Sequence, residues 1–318
     1  MILGKLSSAY RTACDRGIII LTQASWRLMV AAAQRLGGQR YINRRIHSYR
    51  MLLDTKDPGL SRSLLLFRTR ELDHKVMLER IVRPGMTIFD IGGNIGYYPL
   101  MELSLLGGTG KLVVIEPSPS NVDLLRRNLM LNNYDNVPVL RAAVSDISGK
   151  RAFYLSEQSN LGTFHPVGSG AQTLTGEVID VDTVTVPMLA DRYGLPGLIR
   201  MDVEGHEVEI LNGLLADVER GRYAPTIIFE THLTRYDSGH DMAQTLRRMF
   251  ELGYAVPLAS SSSSQGTLRL ISLGYAPGTA IVTDGVVRTL FENIGREDAI
   301  RIITETGGLR TVVLEMQK

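Results

Sequence analysis

Hydrophobic and polar positions follow two different patterns along the chain, and the change falls near residue 80. From Pro84-Gly85 onward, short apolar runs alternate with segments of helical periodicity. The predicted strands are residues 86–91, 111–116, 137–142, 198–202, 226–230 and 310–316, and the predicted helices are 95–106, 120–131, 204–215 and 241–252. Strands that alternate with helices are typical of a parallel sheet covered on both faces. The pattern therefore predicts an α/β fold.

The first eighty residues do not follow this alternation. A helical pattern ends at the glycine pair Gly37-Gly38, residues 49–54 alternate like a strand, and residues 69–82 return to helical periodicity. We therefore predict an accessory region of helices and a short β-hairpin over residues 1–80, and a main domain over residues 81–318. Residues at about 150–186 interrupt the main domain as an insertion, and long insertions are usually functional or mobile.

Residues 17–33 form the most apolar stretch of the accessory region. The stretch is too short to span a bilayer and is broken by Arg27. Two interpretations remain open. The helix lies on a membrane surface as a peripheral contact, or it packs on the main domain or on a second copy of the chain in a homodimer.

Composition narrows the class of protein. With 44% hydrophobic and 21% charged residues among 318, the chain is typical of a globular protein. Its formal charge of +2 gives no support for binding nucleic acid. The single cysteine, Cys14, excludes an intramolecular disulfide framework and fits a reducing, cytoplasmic compartment. The six histidines show no metal-ligand spacing, so no structural zinc site is expected.

The strongest chemical signal is the glycine-rich loop over residues 90–96, which connects a predicted strand to a predicted helix. Its spacing is D-x-G-x-x-x-G rather than the G-x-G-x-x-G of dinucleotide sites. Asp90 stands before the first glycine, where it would repel a pyrophosphate and would suit a positive amino or sulfonium group. S-adenosylmethionine carries both groups. The loop therefore predicts contacts to this cofactor from Asp90, Gly92, Asn94 and Gly96, with Tyr97 directly after them.

Two further acids follow the next strands. Glu116, with Pro117 beside it, ends the second strand 26 positions after Asp90, where an acid would bind the hydroxyls of a ribose. Asp146, with Ser145 beside it, follows the third strand and could accept a hydrogen bond from an adenine amine. The alternative for Asp146 is a surface turn before a glycine.

Four segments in order, DIGGNIGYY, VIEPSPSNVDLLRRNLMLNN, SNLG and IRMDVEGHEVEIL, resemble the FkbM-type methyltransferases over about residues 84–230. The resemblance implies a class I methyltransferase (Rossmann-like) fold, with a seven-stranded sheet in the order 3-2-1-4-5-7-6 and the last strand antiparallel. It also implies S-adenosylmethionine as methyl donor and a hydroxyl group as the usual acceptor. Gly93 stands where the family usually has Ala, which is expected to be harmless, and Arg200 stands where Lys is usual.

Methyl transfer to an alcohol needs in-line alignment and a base that takes the hydroxyl proton. The base is expected at the carboxyl ends of the fourth and fifth strands. Asp202 and His206 flank a strand-to-helix turn, and His206 titrates near neutrality, whereas Asp202 could orient it or contact the donor. Glu230 and His232 share one face after the fifth strand, so His232 is a second candidate.

The acceptor site is predicted only in outline. Ser159 and Asn160 match the family's SN motif and could position the acceptor by hydrogen bonds. Asp202, Glu204 and Glu230 could supply oxygen ligands to magnesium, but we expect transfer without a metal. Compatible acceptors are hydroxyls of sugars or glycans, glycolipids and natural products. The rival interpretations are a nucleotide-binding oxidoreductase on a related fold and a catalytically inactive scaffold.

Overall fold

The computed structural model describes residues 18–166 and 174–317, and side chains in the first helix from residue 25 onward. Cys14 and Gly17 therefore lie outside the described residues. The accessory region consists of α1 (Ile18–Leu36), β1 (Tyr41–Ile46), β2 (Tyr49–Asp54), α2 (Leu60–Phe67) and α3 (Leu72–Ile81). Strands β1 and β2 form an antiparallel hairpin. Its side chains Ile46, Met51 and Leu53 are buried in the same core as Leu125 of the main domain, so the hairpin packs directly on that domain.

The main domain continues the alternation of strands and helices. Its strands are β3 (Thr87–Ile91), β4 (Lys111–Ile115), β5 (Val139–Leu140), β6 (Ala143–Val144), β7 (Gly149–Ser156), β8 (Leu174–Val184), β9 (Leu198–Met201), β10 (Thr226–Glu230), β11 (Tyr254–Ser261), β12 (Ala280–Thr283), β13 (Val286–Ile294) and β14 (Leu309–Met316). Its α-helices are α4 (Tyr97–Leu106), α5 (Pro119–Met130), α6 (Val186–Tyr193), α7 (Glu207–Glu219), α8 (Met242–Glu251), α9 (Ser264–Ser272) and α10 (Arg296–Arg301).

The central sheet has nine strands in the order β12-β13-β11-β14-β10-β9-β3-β4-β5. Strands β5, β4, β3, β9 and β10 are parallel, and β14 is antiparallel to both of its neighbours. The expected count of seven strands is therefore wrong. The hairpin β12-β13 adds two strands beyond β11, because β13 pairs with the edge that β11 would otherwise expose.

Alternate residues of the central strands face opposite cores. Phe89, Ile199 and Phe229 lie in one core. Ile88, Leu198 and Ile228, one residue earlier on each strand, lie in the other. Burial on both faces is what a parallel sheet between two helical layers requires, and it explains why these strands are almost continuously apolar in sequence.

The insertion folds as a small separate sheet. Strand β8 lies between β6 and β7, parallel to β6 and antiparallel to β7. Phe153 and Val181 give this sheet a small core of its own. The sheet places the end of β7 and the residues after it beside the carboxyl ends of the central strands.

Helix α1 packs on α2 with one side only. The Arg27 guanidinium donates a hydrogen bond to the carbonyl of Leu66, and Ala31 is buried. Trp26 remains 62% exposed, and Met29 is exposed with it. Within the described ranges, no helix combines the length and the apolar character needed to cross a membrane.

Candidate active site

A cavity of about 540 Å³ opens at the carboxyl ends of β3, β4 and β9, and the insertion forms one of its walls. Its size is typical of a site for a small molecule or cofactor. Of the residues predicted from sequence, the lining includes Gly92, Asn94, Tyr97, Glu116, Pro117, Ser159, Asn160, Asp202 and His206. The remaining six lie outside it: Asp90, Gly96, Ser145, Asp146, Glu230 and His232.

Two glycines of the β3–α4 turn allow neighbouring segments of the chain to pack closely against it. Gly92 has a φ of 82°, and a Cβ there would overlap the carbonyl oxygen of Asp202. Gly96 has a φ of 97°, and a Cβ there would lie 2.8 Å from Leu125 Cδ1. Gly96 thus lets α4 start against α5, and it does not line the cavity, so its predicted contact with the cofactor stays a prediction.

Asp90 is not part of the cavity lining. It is completely buried, and its Oδ1 lies 3.1 Å from Nη1 of Arg200 on β9. Burial raises the pKa of Asp90, while the Arg200 charge opposes that rise. Through Arg200, Asp90 is connected to the glycine loop, and its predicted contact with the amino or sulfonium group of a ligand stays a prediction.

Arg200 is the functional residue that sequence reasoning missed. Its guanidinium lies 3.9 Å from the centre of the Tyr98 ring, donates to the Gly92 carbonyl, and lies 3.3 Å from Asp202 Oδ2. It thereby joins the ends of β3 and β9 and forms part of the cavity lining. A signal was present, because Arg200 is the single charge in the strand Leu198–Met201 and stands opposite Asp90 in the sheet register.

Glu116 lies at the end of β4 with its carboxylate on the cavity wall. Its Oε2 accepts a hydrogen bond from the Asn94 amide at 2.9 Å, and its Oε1 accepts from the Ser118 amide and the Asn121 side chain. Burial raises the pKa of Glu116 to about 7, against the opposing effect of these donors. These donors leave one acceptor position on Oε2, through which the carboxylate can bind a ligand hydroxyl.

The opposite side of the cofactor region is apolar. Ala142, Ala143 and Val144 line the cavity there, whereas Asp146 is exposed and lies 3.9 Å from Arg151. Ser145 is turned toward His206 instead. Neither Ser145 nor Asp146 is part of the cavity lining, so their predicted adenine contacts stay predictions.

Tyr97 borders the cavity, but its hydroxyl is already engaged. It donates to the Arg70 carbonyl at 2.7 Å and accepts from the Arg70 amide at 3.1 Å. His47 lies 3.1 Å away on the same oxygen. Tyr97 therefore offers a cofactor its ring and not its hydroxyl.

The SN motif of the insertion is tied to two other parts of the chain. The carbonyl of Ser159 accepts hydrogen bonds from the side chains of Asn94 and Asn121 at 3.0 and 2.8 Å. The amide and hydroxyl of Ser159 donate to Asp57, in the turn before α2. Ser159 thus holds the insertion over the cavity, while Asn160 Oδ1 is buried without a hydrogen-bond partner among the described residues.

His206 borders the cavity but is poorly placed to act as a base. Its Nε2 lies 3.0 Å from Ser145 Oγ, and its Nδ1 lies 3.1 Å from His165 Nε2. Burial lowers the pKa of His206 to about 4, so the ring is neutral at pH 7. Because both ring nitrogens already lie within hydrogen-bond distance of other side chains, this arrangement disfavours His206 as the general base.

His232 has one anchored and one free nitrogen. Its Nδ1 lies 2.9 Å from Oε1 of the buried Glu207. Its Nε2 has no hydrogen-bond partner in the described part of the chain and lies 3.6–3.9 Å from carboxylate oxygens of Asp202, Glu204 and Glu230. Burial lowers the pKa of His232, but the surrounding carboxylates outweigh it and raise the pKa to about 10. The ring is therefore a cation at pH 7 behind the cavity wall.

Two of the carboxylates near His232 reach the cavity, and a third does not. Asp202 and Glu204 line it, and Asp202 Oδ1 is buried without a hydrogen-bond partner among residues 18–166 and 174–317. Glu230 is instead paired with Arg310. Burial raises the pKa of Glu230 to about 8. Glu230 contacts Arg310 and lies outside the cavity lining, so its catalytic role stays a prediction.

The parallel sheet, the glycine-rich β3–α4 turn and the acid at the end of β4 together define a class I methyltransferase-like fold. The family model described as the methyltransferase FkbM domain matches residues 90–256, more than half of the chain. The chain therefore belongs to the FkbM methyltransferase family, whose cofactor is S-adenosylmethionine. The polar Glu116 end and the apolar opposite wall of the cavity fit a ribose and an adenine.

Individual relatives are distant. The hexuronic acid methyltransferase AglP of Haloferax volcanii is 27% identical over 148 residues, which cover 46% of this chain and 55% of AglP. The 31-O-demethyl-FK506 methyltransferase FkbM of Streptomyces tacrolimicus is 27% identical over 161 residues, 42% of this chain and 61% of that protein. The crystal structure of a methyltransferase FkbM from Methylobacillus flagellatus KT has 15% identity and a TM-score of 0.35, with 73% of this chain and 53% of that chain covered.

Proposed function

We propose that this protein is an S-adenosylmethionine-dependent O-methyltransferase that acts on a hydroxyl of a sugar or glycan, a glycolipid or a natural product. The observation that carries the proposal is a cavity lined by both Glu116 and Asp202, in which Asp202 Oδ1 has no hydrogen-bond partner among the described residues. The surroundings of Glu116 suit a nucleoside, and the Asp202 carboxylate suits a proton-bearing acceptor. The names of two relatives, which refer to a hexuronic acid and to 31-O-demethyl-FK506, support an acceptor of this kind.

Four residues of the cavity lining would hold the cofactor. The backbone of Gly92 and Asn94 lines the cavity beside Glu116 and Pro117, so these residues would bind the nucleoside and exclude water from it. When bound, S-adenosylmethionine supplies an electrophilic methyl group on a sulfonium. Alignment of the acceptor oxygen with that group is the main contribution expected of the protein.

Asp202 is the group we assign to take the acceptor's proton. Its Oδ2 lies 3.3 Å from Arg200, and its Oδ1 lies 3.9 Å from His232 Nε2 and has no hydrogen-bond partner among the described residues. His232 cannot serve as the base because it already carries a proton at pH 7, as its raised pKa requires. Its imidazolium, oriented by Glu207, acts as a positioning residue that keeps the Asp202 carboxylate in place.

The Asp202→Asn variant tests this assignment, because Asn keeps the shape and the contact to Arg200 but is not a base. We expect kcat to fall by about 10²–10⁴-fold, while calorimetry shows an affinity for S-adenosylhomocysteine close to that of the wild type. Asp191→Asn, at an exposed surface ion pair, is the matched control and should leave kcat unchanged. An Asp202→Asn enzyme with wild-type kcat would remove Asp202 from the chemistry.

The class of acceptor is tested with radiolabelled methyl donor and a panel of hexuronic-acid glycans, glycolipids and polyketide alcohols. A methyl ether survives mild alkali, whereas a methyl ester on a uronic acid is hydrolysed. We expect an alkali-stable product. Transfer only to amines or only to carboxylates would overturn O-methylation of a hydroxyl, and cofactor binding without transfer to any acceptor would favour the inactive scaffold.

We also propose that the protein is a cytoplasmic enzyme that contacts the membrane peripherally through residues 17–33. The exposure of Trp26 and Met29 on α1 supports this membrane contact. The alternative, a homodimer that covers the same side chains, predicts a concentration-dependent mass in solution. Light scattering with and without anionic vesicles separates the two.

A further inference from the structure

Three of the six histidines in the chain converge on one glutamate. His165 belongs to the insertion, His206 precedes α7, and His240 precedes α8, and all three rings surround Glu209 on α7. The Nε2 atom of His165 lies 3.1 Å from His206 Nδ1 and 3.8 Å from Glu209 Oε1. His206 Nδ1 lies 3.3 Å from Glu209 Oε2. The cluster is enclosed, since the His206 side chain is 1% exposed and that of Glu209 is 16% exposed.

The hydrogen bonds around the cluster are compatible with a His206 tautomer that can bind a metal. Ser145 Oγ lies 2.9 Å from Asp146 Oδ1 and 3.0 Å from His206 Nε2, and it accepts a hydrogen bond from Arg151 Nη1 at 3.0 Å. When Ser145 donates its hydrogen to Asp146, His206 carries its own hydrogen on Nε2 and presents a lone pair on Nδ1. In this tautomer, the Nδ1 lone pair and the acceptor Glu209 Oε2 lie 3.3 Å apart, and a cation between them would satisfy both.

The spacing of the inner atoms matches a tetrahedral metal site. Zinc binds histidine nitrogen at about 2.0–2.1 Å, which places neighbouring ligand atoms of a tetrahedron about 3.3 Å apart. The separations of 3.1, 3.3 and 3.8 Å among His165, His206 and Glu209 bracket that value. Two histidines and a glutamate are also an established ligand set for zinc.

The residues behind these three have the arrangement expected of second-shell groups. Ligating histidines usually donate their other ring nitrogen, and ligating carboxylates are usually hydrogen-bonded in turn. His206 donates to Ser145 in the tautomer described above. His240 Nε2 lies 2.8 Å from Glu209 Oε2, while its Nδ1 donates to the carbonyl of Arg235 at 2.8 Å.

We propose that His165 Nε2, His206 Nδ1 and the Glu209 carboxylate form a zinc site that fastens the insertion to α7. The same segments already meet through a hydrogen bond from Thr163 Oγ1 to the Glu204 carbonyl at 3.0 Å. A metal at this position would hold the insertion wall of the cavity against the strand-to-helix turn that carries Asp202. The proposal does not depend on which acceptor is methylated.

Zinc content of the untagged full-length protein tests the proposal directly. Mass spectrometry of the purified protein and competition with a chromophoric chelator should give about one zinc per chain. His165→Gln and Glu209→Gln should lose that zinc, while His47→Gln, whose ring contacts Tyr97 outside the cluster, should retain it. His240→Gln should weaken binding by about 10- to 100-fold, as second-shell changes do.

Circular dichroism of each variant shows whether it folds. If the ligand variants unfold, the wild type loaded with Co²⁺ still decides the question, since intense visible bands indicate four-coordination by nitrogen and oxygen. Absence of zinc from the wild type at micromolar free Zn²⁺ would overturn the proposal. Equal affinity in wild type and His165→Gln, or the weak bands of six-coordinate Co²⁺, would also overturn it.

Discussion

The side chains that matter most around the cavity are the ones that pair across strands. Asp90 and Arg200 are opposite each other in the sheet register and completely or almost completely buried. The motif around Asp90 could be recognised from sequence, but its buried ion pair could not, because the partner Arg200 stands 110 residues later. The pKa of a buried carboxylate depends on its nearest charged neighbour, which a sequence motif does not identify.

Arg200→Met should be strongly destabilising, because it leaves Asp90 buried without a counter-charge. We expect the free energy of unfolding to fall by about 3–5 kcal/mol, as measured by urea denaturation. Adding Asp90→Asn to this variant should restore part of the loss. The control Arg248→Met, at a half-exposed surface pair, should change stability by less than about 0.5 kcal/mol. Equal effects of the two substitutions would contradict the framework role of Arg200.

Glu116 should make stability depend on pH in a particular direction. Its pKa in the folded protein is raised to about 7 by burial, above the value of an exposed glutamate. Between about pH 4.5 and 7 the unfolded chain has lost the proton that the folded chain keeps, so stability falls as pH rises, by roughly 3 kcal/mol at most. Glu204 and Glu230 shift in the same direction, so the test is the difference between wild type and Glu116→Gln.

Urea denaturation at pH 5 and pH 8 measures that difference. The fall in stability between the two pH values should be smaller in Glu116→Gln than in wild type. Glu219→Gln, at an exposed surface pair, should behave as wild type. If Glu116→Gln lost as much stability as wild type between these two pH values, Glu116 would contribute nothing to the pH dependence, and its raised pKa would be contradicted.

At the scale of elements, the β3–α4 turn shows that tertiary packing can restrict a position that local sequence rules leave open. Gly93, which stands where the family usually has Ala, was expected to be harmless in this turn. Its surroundings leave no room for a larger residue, because a Cβ would overlap Val114 Cγ1 on the neighbouring strand β4. Whether a methyl group fits at position 93 depends on Val114, 21 positions later in the sequence, so a local sequence pattern cannot predict it.

Gly93→Ala should therefore destabilise the protein by about 1–3 kcal/mol through overpacking. Val114→Ala removes the opposing methyl group, so the double variant should cost less than the sum of the two single variants. The expected coupling is about 0.5–3 kcal/mol in a double-mutant cycle of urea denaturation. Additive effects would show that the turn relaxes without touching β4.

The elements that could be predicted are those with a strong local period. The buried parallel strands and the helices that follow them were predicted because their apolar runs and turns are continuous in sequence. The hairpin β12-β13 was missed, since its pairing with β11 is antiparallel, lies at a sheet edge and has no motif. Short strands such as β5 and β6 gain their conformation mainly from neighbours and were merged or misplaced for that reason.

At the scale of the whole molecule, the site depends on contacts between distant segments. Ser159 bonds to Asp57, 102 residues earlier, and His165 meets His206, 41 residues later. Such contacts follow from topology, so the residue types could be noticed in sequence but their partners could not. Gly92, Asn94, Glu116 and Pro117 could be singled out from sequence because they belong to one strand–loop–helix unit and the next strand end, and all four line the cavity.

The central claim is that the cavity binds the nucleoside of S-adenosylmethionine through Glu116. Calorimetric titration of wild type, Glu116→Gln and the surface control Glu219→Gln with S-adenosylhomocysteine tests it most directly. We predict micromolar binding by wild type and control, and binding at least about tenfold weaker, or 1.4 kcal/mol, in Glu116→Gln with the fold intact. No binding by the wild type, or equal affinity in Glu116→Gln, would contradict the account.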